Sequence, residues 1–159
     1  VLARDEGQHL HVLGQLATIK ATAGDTGSLA AVEIVADRGF GPPLHCHRDE
    51  DEIVVVLEGE VMFRSGDTEI LGGTGACADL PHGVPHTFQV RSESARMMSI
   101  TGSVGETPQF DKMFHAMGEP TPVPDMPRGP IQLDPGELAA INAAHGVDIL
   151  GPPPAPLAD

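Results

Sequence analysis

The sequence predicts an all-β fold, an antiparallel sandwich or barrel, on three observations. Short apolar segments recur between turn signals from His9 to Thr101. Fifteen Pro and 19 Gly punctuate the chain, a density that suits many short strands better than a helical bundle. With no Trp, no Tyr and only five Phe, the core is expected to come from Val, Ile, Leu, Ala and Met. At 159 residues the chain has one domain's length, enough to close a core without disulfide or metal staples.

The segments predicted as strands run from His9 to Lys20, Ser28 to Ala36, Pro43 to His47, Glu52 to Leu57, Glu60 to Arg64, Thr68 to Leu71, Gly75 to Asp79, His86 to Arg91 and Ala95 to Thr101. Asp25-Thr26-Gly27, Glu58-Gly59-Glu60 and Ser65-Gly66-Asp67 are predicted hairpin turns, with Gly available for positive φ. The segment Ile53 to Leu57 is apolar on both faces, so its outer side calls for a cover, from C-terminal helices or a second subunit. Beyond Thr101 the character changes. Thr107 to Gly118 predicts a short helix with Phe110, Met113, Phe114 and Met117 on a core-facing stripe. Gly118 to Pro130 is Pro-rich and expected as a loop wrapped on the barrel. Asp134-Pro135-Gly136-Glu137 then supplies an N-cap, a Pro at the first helical position and a Glu at the third, and Gly146 stops that helix. The last nine residues, with four Pro, are expected frayed or extended. The expected organisation is a barrel over 1–106, with its site between 45 and 86, and a helical and Pro-rich extension over 107–159 packed on it.

Composition narrows the partners. Nine Lys plus Arg against 23 Asp plus Glu give a formal charge of −14, which repels phosphate backbones and anionic lipids. Nucleic acid and membrane surfaces are therefore not expected partners. Cys46 and Cys77 are too few for a disulfide framework and lack metal-site spacing, so both are expected as reduced packing residues. No apolar run approaches the roughly 20 residues that span a bilayer, and Val1 to Gly7 lacks the apolar core of a signal peptide. A cytoplasmic protein is expected.

The chemistry is carried by two clusters. Residues two apart on a strand share a face, so His45 and His47 project together while Cys46 faces away. After the charged bend Arg48-Asp49-Glu50-Asp51, Glu52 opens the next strand, and a hairpin returns its carboxylate beside the imidazoles. His86 begins another strand after the turn signal Pro81-His82-Gly83-Val84-Pro85. Three imidazoles and one carboxylate suit one divalent transition metal, Fe, Ni, Mn, Co or Zn, with open positions for water or substrate. By parity Val54 and Val56 go with Glu52, and Phe88 and Val90 with His86, giving an apolar, substrate-binding cavity suited to a flat aromatic.

The spacing reads Gly39, five residues, His45-x-His47, four residues, Glu52, six residues, Gly59, and later Gly75, five residues, Pro81-x-Gly83, two residues, His86. It resembles the two signature motifs of the cupin superfamily, with Val90 where the second motif usually carries Asn. Gly41 to His47, Leu57 to Glu60 and Pro81 to His86 look like the bacterial quercetinase-like group, and Leu133 to Pro152 is similar to tails of that group. The resemblance implies a double-stranded β-helix, or jelly-roll barrel, with short C-terminal helices. It also implies a homodimer and a mononuclear metal enzyme of small-molecule, natural-product metabolism. Members of similar build include flavonol dioxygenases and cyclases of aromatic polyketides.

Between those reactions, one feature tips the expectation. His9 and His11 share a face of the first strand. If either reached the metal, a sphere of four His and one carboxylate would leave about one open site, favouring Lewis-acid chemistry. The sequence-based expectation is thus a metal-assisted enolisation and cyclisation of a polyketide-type substrate, with Zn, and with Glu52 and His11 as catalytic groups. The alternative is a quercetinase-like dioxygenase of an enolic aromatic with Fe, Ni, Mn or Co. A ligand-binding cupin without turnover is the third reading. Asp79, His82, Lys20 and Gln15 are further polar candidates for acid or base roles.

Overall fold

The computed structural model describes residues 1–103, 108–129 and 133–157. In chain order its elements are β1 (Gln8–Val12), β2 (Gln15–Ala21), α1 (Ala23–Thr26), β3 (Leu29–Asp37), β4 (His45–His47), β5 (Glu50–Glu58), β6 (Glu60–Ser65), β7 (Thr68–Gly73), β8 (Cys77–Leu80), β9 (His86–Val90), β10 (Ser94–Ser103), α2 (Phe110–Met117), β11 (Glu119–Thr121), α3 (Pro135–Ala144) and β12 (Val147–Ile149). They form two antiparallel sheets, ordered β11-β1-β2-β3-β10-β5-β8 and β12-β4-β9-β6-β7. This is the expected jelly roll, with the core between the sheets.

Alternation decides the core. On β5, Glu50, Glu52, Val54 and Val56 are buried while Asp51 and Ile53 are exposed. On β10, Ala95, Met97, Ser99 and Thr101 point inward. The aliphatic core of Leu10, Val12, Val32, Val54, Val56, Val61, Val90 and Met97 matches the composition. The hairpin turns behave as their chemistry requires at two points: Gly59 at φ 87° and Gly66 at φ 56° take left-handed conformations, and Gly66 lies within the tight link that pairs Ser65 with Thr68.

Several expectations are corrected. The segment His9 to Lys20 is two strands, because Leu13 at φ 58° and Gly14 at φ 132° reverse the chain between them. Asp25-Thr26-Gly27 is the end of a short helix rather than a hairpin turn: the Thr22 side chain accepts from Asp25 N, and Gly27 closes it in a left-handed cap. Of the two expectations for the last nine residues, the described part, 151–157, fits an extended segment rather than a frayed one. Pro152 to Leu157 lie along the small sheet, where Gln89 Nε2 donates to Ala155 O at 2.8 Å. Cys77 is exposed, so only Cys46 is partly packed; both are free thiols. The boundary expected at 106/107, and Thr107 as the start of a helix, fall outside the described residues.

The helices do not cover the outer side of β5, where Ile53 remains 43% exposed. Instead α2 packs on β1, β2 and β3 and against α3, placing both helices over the mouth of the barrel. Helix α3 begins where the sequence placed it, with the Asp134 carboxylate accepting from Gly136 N and Glu137 N at 2.8 and 3.3 Å and Pro135 in its first turn.

Candidate metal centre

Strands β4, β5 and β9 converge on one point. His45, His47, Glu52 and His86 each offer a ligand atom, and these atoms lie within 4.8 Å of one another. An ion about 2.1 Å from each ligand needs ligand separations up to about 4.2 Å, so roughly half an ångström of contraction would close the shell. His45 is the direct cross-strand partner of His86, their rings 4.4 Å apart and edge to face. His47 stacks on His86 at 5.3 Å. Glu52 Oε2 stands 3.3 Å from His86 Nε2 and 3.6 Å from His47 Nε2.

The imidazoles are aimed from behind. His45 Nδ1 meets the Pro43 carbonyl at 2.8 Å and His86 Nδ1 the Val84 carbonyl at 2.9 Å; as donors to those oxygens, both rings leave Nε2 free as a ligand. Ser99 Oγ donates to Glu52 Oε1 at 2.5 Å, fixing one carboxylate oxygen. His47 and His86 are 1% exposed and Glu52 6%, whereas His45 keeps part of its surface open to the cavity. Both ring nitrogens of His47 and Nε2 of His86 are buried without a hydrogen-bond partner. Unpaired nitrogens in such a place are costly, and a cation at their meeting point satisfies those that face it.

The four side chains shift one another's protonation. Burial, then the neighbouring His86 and His47, lowers the His45 pKa to about 4. Burial also lowers that of His47. For Glu52 burial alone would raise the pKa, but the close approach of His86, the charge of His47 and His86, and the Ser99 hydroxyl outweigh it and hold the carboxyl at about 2. Burial would lower His86 too; there the Glu52 carboxylate prevails and raises it. Neutral His45 and His47 and an anionic Glu52 are forms that ligate a divalent ion, whereas His86 would give up its proton to an incoming cation.

His45, Glu52 and His86 open into a cavity of about 70 Å³, lined also by Leu13, Gln15, Phe88, Phe110, Met113, Phe114, Met117 and Asn142. Among the described residues that line it, Glu52 is the only acidic side chain. A larger groove of about 520 Å³ lies beneath Pro152 to Leu157, with Met62, Arg64, Thr87 and Gln89 in its lining and none of the four ligands; Phe88 borders both spaces.

The structure brings together all four expected ligands and places Phe88 in the cavity wall. It does not place Val54, Val56 or Val90 there: they are 2%, 1% and 0% exposed and belong to the core, because the cavity occupies one end of the barrel and these residues sit deeper along their strands. Nor does His11 reach the ligands. Leu10 and Val12 take the inward face of β1, so His11 points outward, where its Nε2 meets the Asp125 carbonyl at 2.8 Å. His9 Nδ1 bonds Thr18 Oγ1 at 3.0 Å on the same side. Of the other polar candidates, Asp79 is exposed on β8, His82 pairs with Asp51 at 2.6 Å at the surface, and Lys20 donates to backbone carbonyls of Ala3, Arg4 and Glu6. Only Gln15 faces the cavity. Sequence reading passed over Ser99, whose signal was a polar residue at an inward position between Met97 and Thr101.

In this jelly roll three His and one Glu converge from β4, β5 and β9 into a set that could hold one metal ion. Residues 31–101 match the family model for the cupin domain, so the chain carries a cupin domain. It is 30% identical over 102 residues, 64% of this chain, to quercetin 2,3-dioxygenase of Bacillus subtilis; the matched part covers 30% of that protein's length. Two solved structures share the fold. Oxalate decarboxylase from Bacillus subtilis superposes with a TM-score of 0.55 at 22% identity, over 65% of this chain and 30% of that one. KdgF from Halomonas sp. gives 0.53 at 22% identity, over 57% of this chain and 79% of that one.

Proposed function

We propose that this chain is a metal-dependent dioxygenase of a flat, enolic aromatic of the flavonol type. The observation that carries the reading is the cluster of four candidate ligands found among the described residues, opening on an apolar cavity. With His9 and His11 bonded on the outer face, the expectation of a fifth protein ligand falls, and with it the reason for ranking cyclisation first. A metal held by these four side chains would be less crowded than one with a fifth protein ligand and would leave room for both substrate and dioxygen. The likeness to a quercetin 2,3-dioxygenase supports the same substrate class.

His45, His47, Glu52 and His86 would hold the ion. When bound, a divalent transition metal acidifies an enol hydroxyl and makes redox chemistry with dioxygen accessible. Glu52 is the proton acceptor: it lies in the cavity wall and is ionised at neutral pH, and a weakly basic carboxylate suffices for an acidified hydroxyl. Ser99 keeps one carboxylate oxygen oriented during that transfer. Phe88 and the α2 side chains exclude water and pack the substrate rings.

Ring-sized ligands need pockets of about 300 Å³ or more, so the 70 Å³ cavity receives such a substrate only when side chains of α2 give way. Met113 and Met117, with flexible unbranched chains, are suited to that. The small enclosed volume also favours a second reading, non-redox cyclisation of a polyketide-type chain with Zn, where confinement is the main rate term.

Metal analysis followed by oxygen uptake with quercetin separates the two. We expect about one metal per chain and uptake with Fe, Ni, Mn or Co. Protein loaded with each of those four metals that consumes no oxygen with any flavonol sinks the dioxygenase reading.

A further inference from the structure

Gln15 opens β2 with its side chain in the wall of the metal cavity. The residue is 6% exposed, and its amide oxygen Oε1 is buried without a hydrogen-bond partner. A buried acceptor left unpaired is destabilising and rare in folded proteins. The side chains that α2 contributes, Phe110, Met113, Phe114 and Met117, offer it no strong donor. In the large sheet β3 and β10 lie between β2 and β5, so Gln15 faces the cavity from a strand three places away from the one that carries Glu52.

We propose that Gln15 is a substrate-positioning residue whose amide oxygen accepts a hydrogen bond from a ring hydroxyl of the aromatic substrate, at the end away from the metal ligands. The assignment rests on the flavonol-type reading of the cavity and adds to it: the substrate carries a hydroxyl beyond its enol. A site built around a polar group discriminates against the analogue that lacks the matching donor, because the group is then buried unpaired. A single positioning contact of this kind also fixes which carbon faces the ligand cluster.

Quercetin and 3-hydroxyflavone share the enol but differ in the hydroxyls of their outer rings, so they are the probes. Titrated into metal-loaded protein and followed by absorbance, quercetin should bind roughly tenfold more tightly than 3-hydroxyflavone. Gln15→Met should bring the two affinities within about twofold, while Gln15→Asn, which keeps the acceptor, should retain part of the preference. In the ligand-free protein Gln15→Met should melt no lower than the wild type, since an unpaired buried acceptor is removed; an amide with a structural role would lower the melting temperature. A wild type without preference, a Gln15→Met variant that keeps the tenfold preference, or one that melts well below the wild type overturns the assignment and leaves the flavonol reading standing. A wild type that binds neither compound overturns both.

Discussion

The cavity has one wall made of strands and one made of helices, and the two are held in different ways. On the strand side, His45 and His86 are oriented by backbone carbonyls of Pro43 and Val84, and Glu52 by the Ser99 hydroxyl. Each of those supports belongs to the sheet or to a turn next to it. On the helix side, Phe110, Met113, Phe114, Met117 and Leu138 contribute contact area, with Asn142 donating back to Leu138 O and to Met117 Sδ. Rigid polar geometry is concentrated on the strand wall, which would hold the ion, and adaptable apolar packing on the helix wall, which together with Gln15 would meet the substrate. Metal affinity and substrate choice should therefore respond to different residues.

The largest effect should come from the strand wall. His86→Ala removes one ligand and should lower metal affinity by more than the roughly 10–100-fold that loss of an outer supporting group costs, with oxygen uptake abolished and the barrel still folded. Metal content and far-ultraviolet circular dichroism check this; full metal occupancy in the variant would break the assignment of the strand wall.

A smaller effect, of a different kind, is expected on the helix wall. A Cβ at Gly118 would lie 2.7 Å from Val12 Cγ2 and 2.9 Å from the Phe114 carbonyl, so α2 must shift on its bed. Gly118→Ala should cost about 1–3 kcal/mol by denaturant unfolding while one metal per chain is retained. If that variant lost its metal instead, the two walls would not be independent.

The smallest effect concerns pH and the metal-free protein. His45 is held at about 4 against an ordinary 6.5, so between those values the unfolded chain takes a proton that the folded one refuses. Stability then falls as pH drops through that window. Glu52, at about 2 against 4.5, extends the loss to lower pH by the same sign. His86, raised by Glu52, acts oppositely: its contribution is present below 6.5 and fades as pH rises through its folded value. Melting temperatures of metal-free protein should decline from pH 6.5 towards 4, and His45→Gln should flatten that part of the profile. An equal decline in the variant would place its cause in groups other than His45, His47 first among them.

Much of the strand wall was legible because its rules are local. Alternation set His45 and His47 on one face, and the turn Pro81 to Pro85 set the start of β9. The cap Asp134-Pro135 placed α3 for the same reason. The helix wall was half legible. The stripe Phe110, Met113, Phe114 and Met117 was read as core-facing, and all four are buried, yet nothing in its period says that it closes the mouth of the barrel. Strand β12 was missed: its three residues are too short for a periodic signal, and they pair with β4 so that Val147 meets His47 and Ile149 meets His45.

By itself the sequence determined which side chains could share a face and which four could share an ion, since the parity of a strand is fixed by bonds to its neighbours in the chain. Tertiary structure alone decided which strands lie side by side, and so sent His11 outward to Asp125, brought Ser99 to Glu52 and turned Gln15 into the cavity. Those outcomes depend on how two sheets close around a common core, a matter of long-range packing that no local pattern encodes.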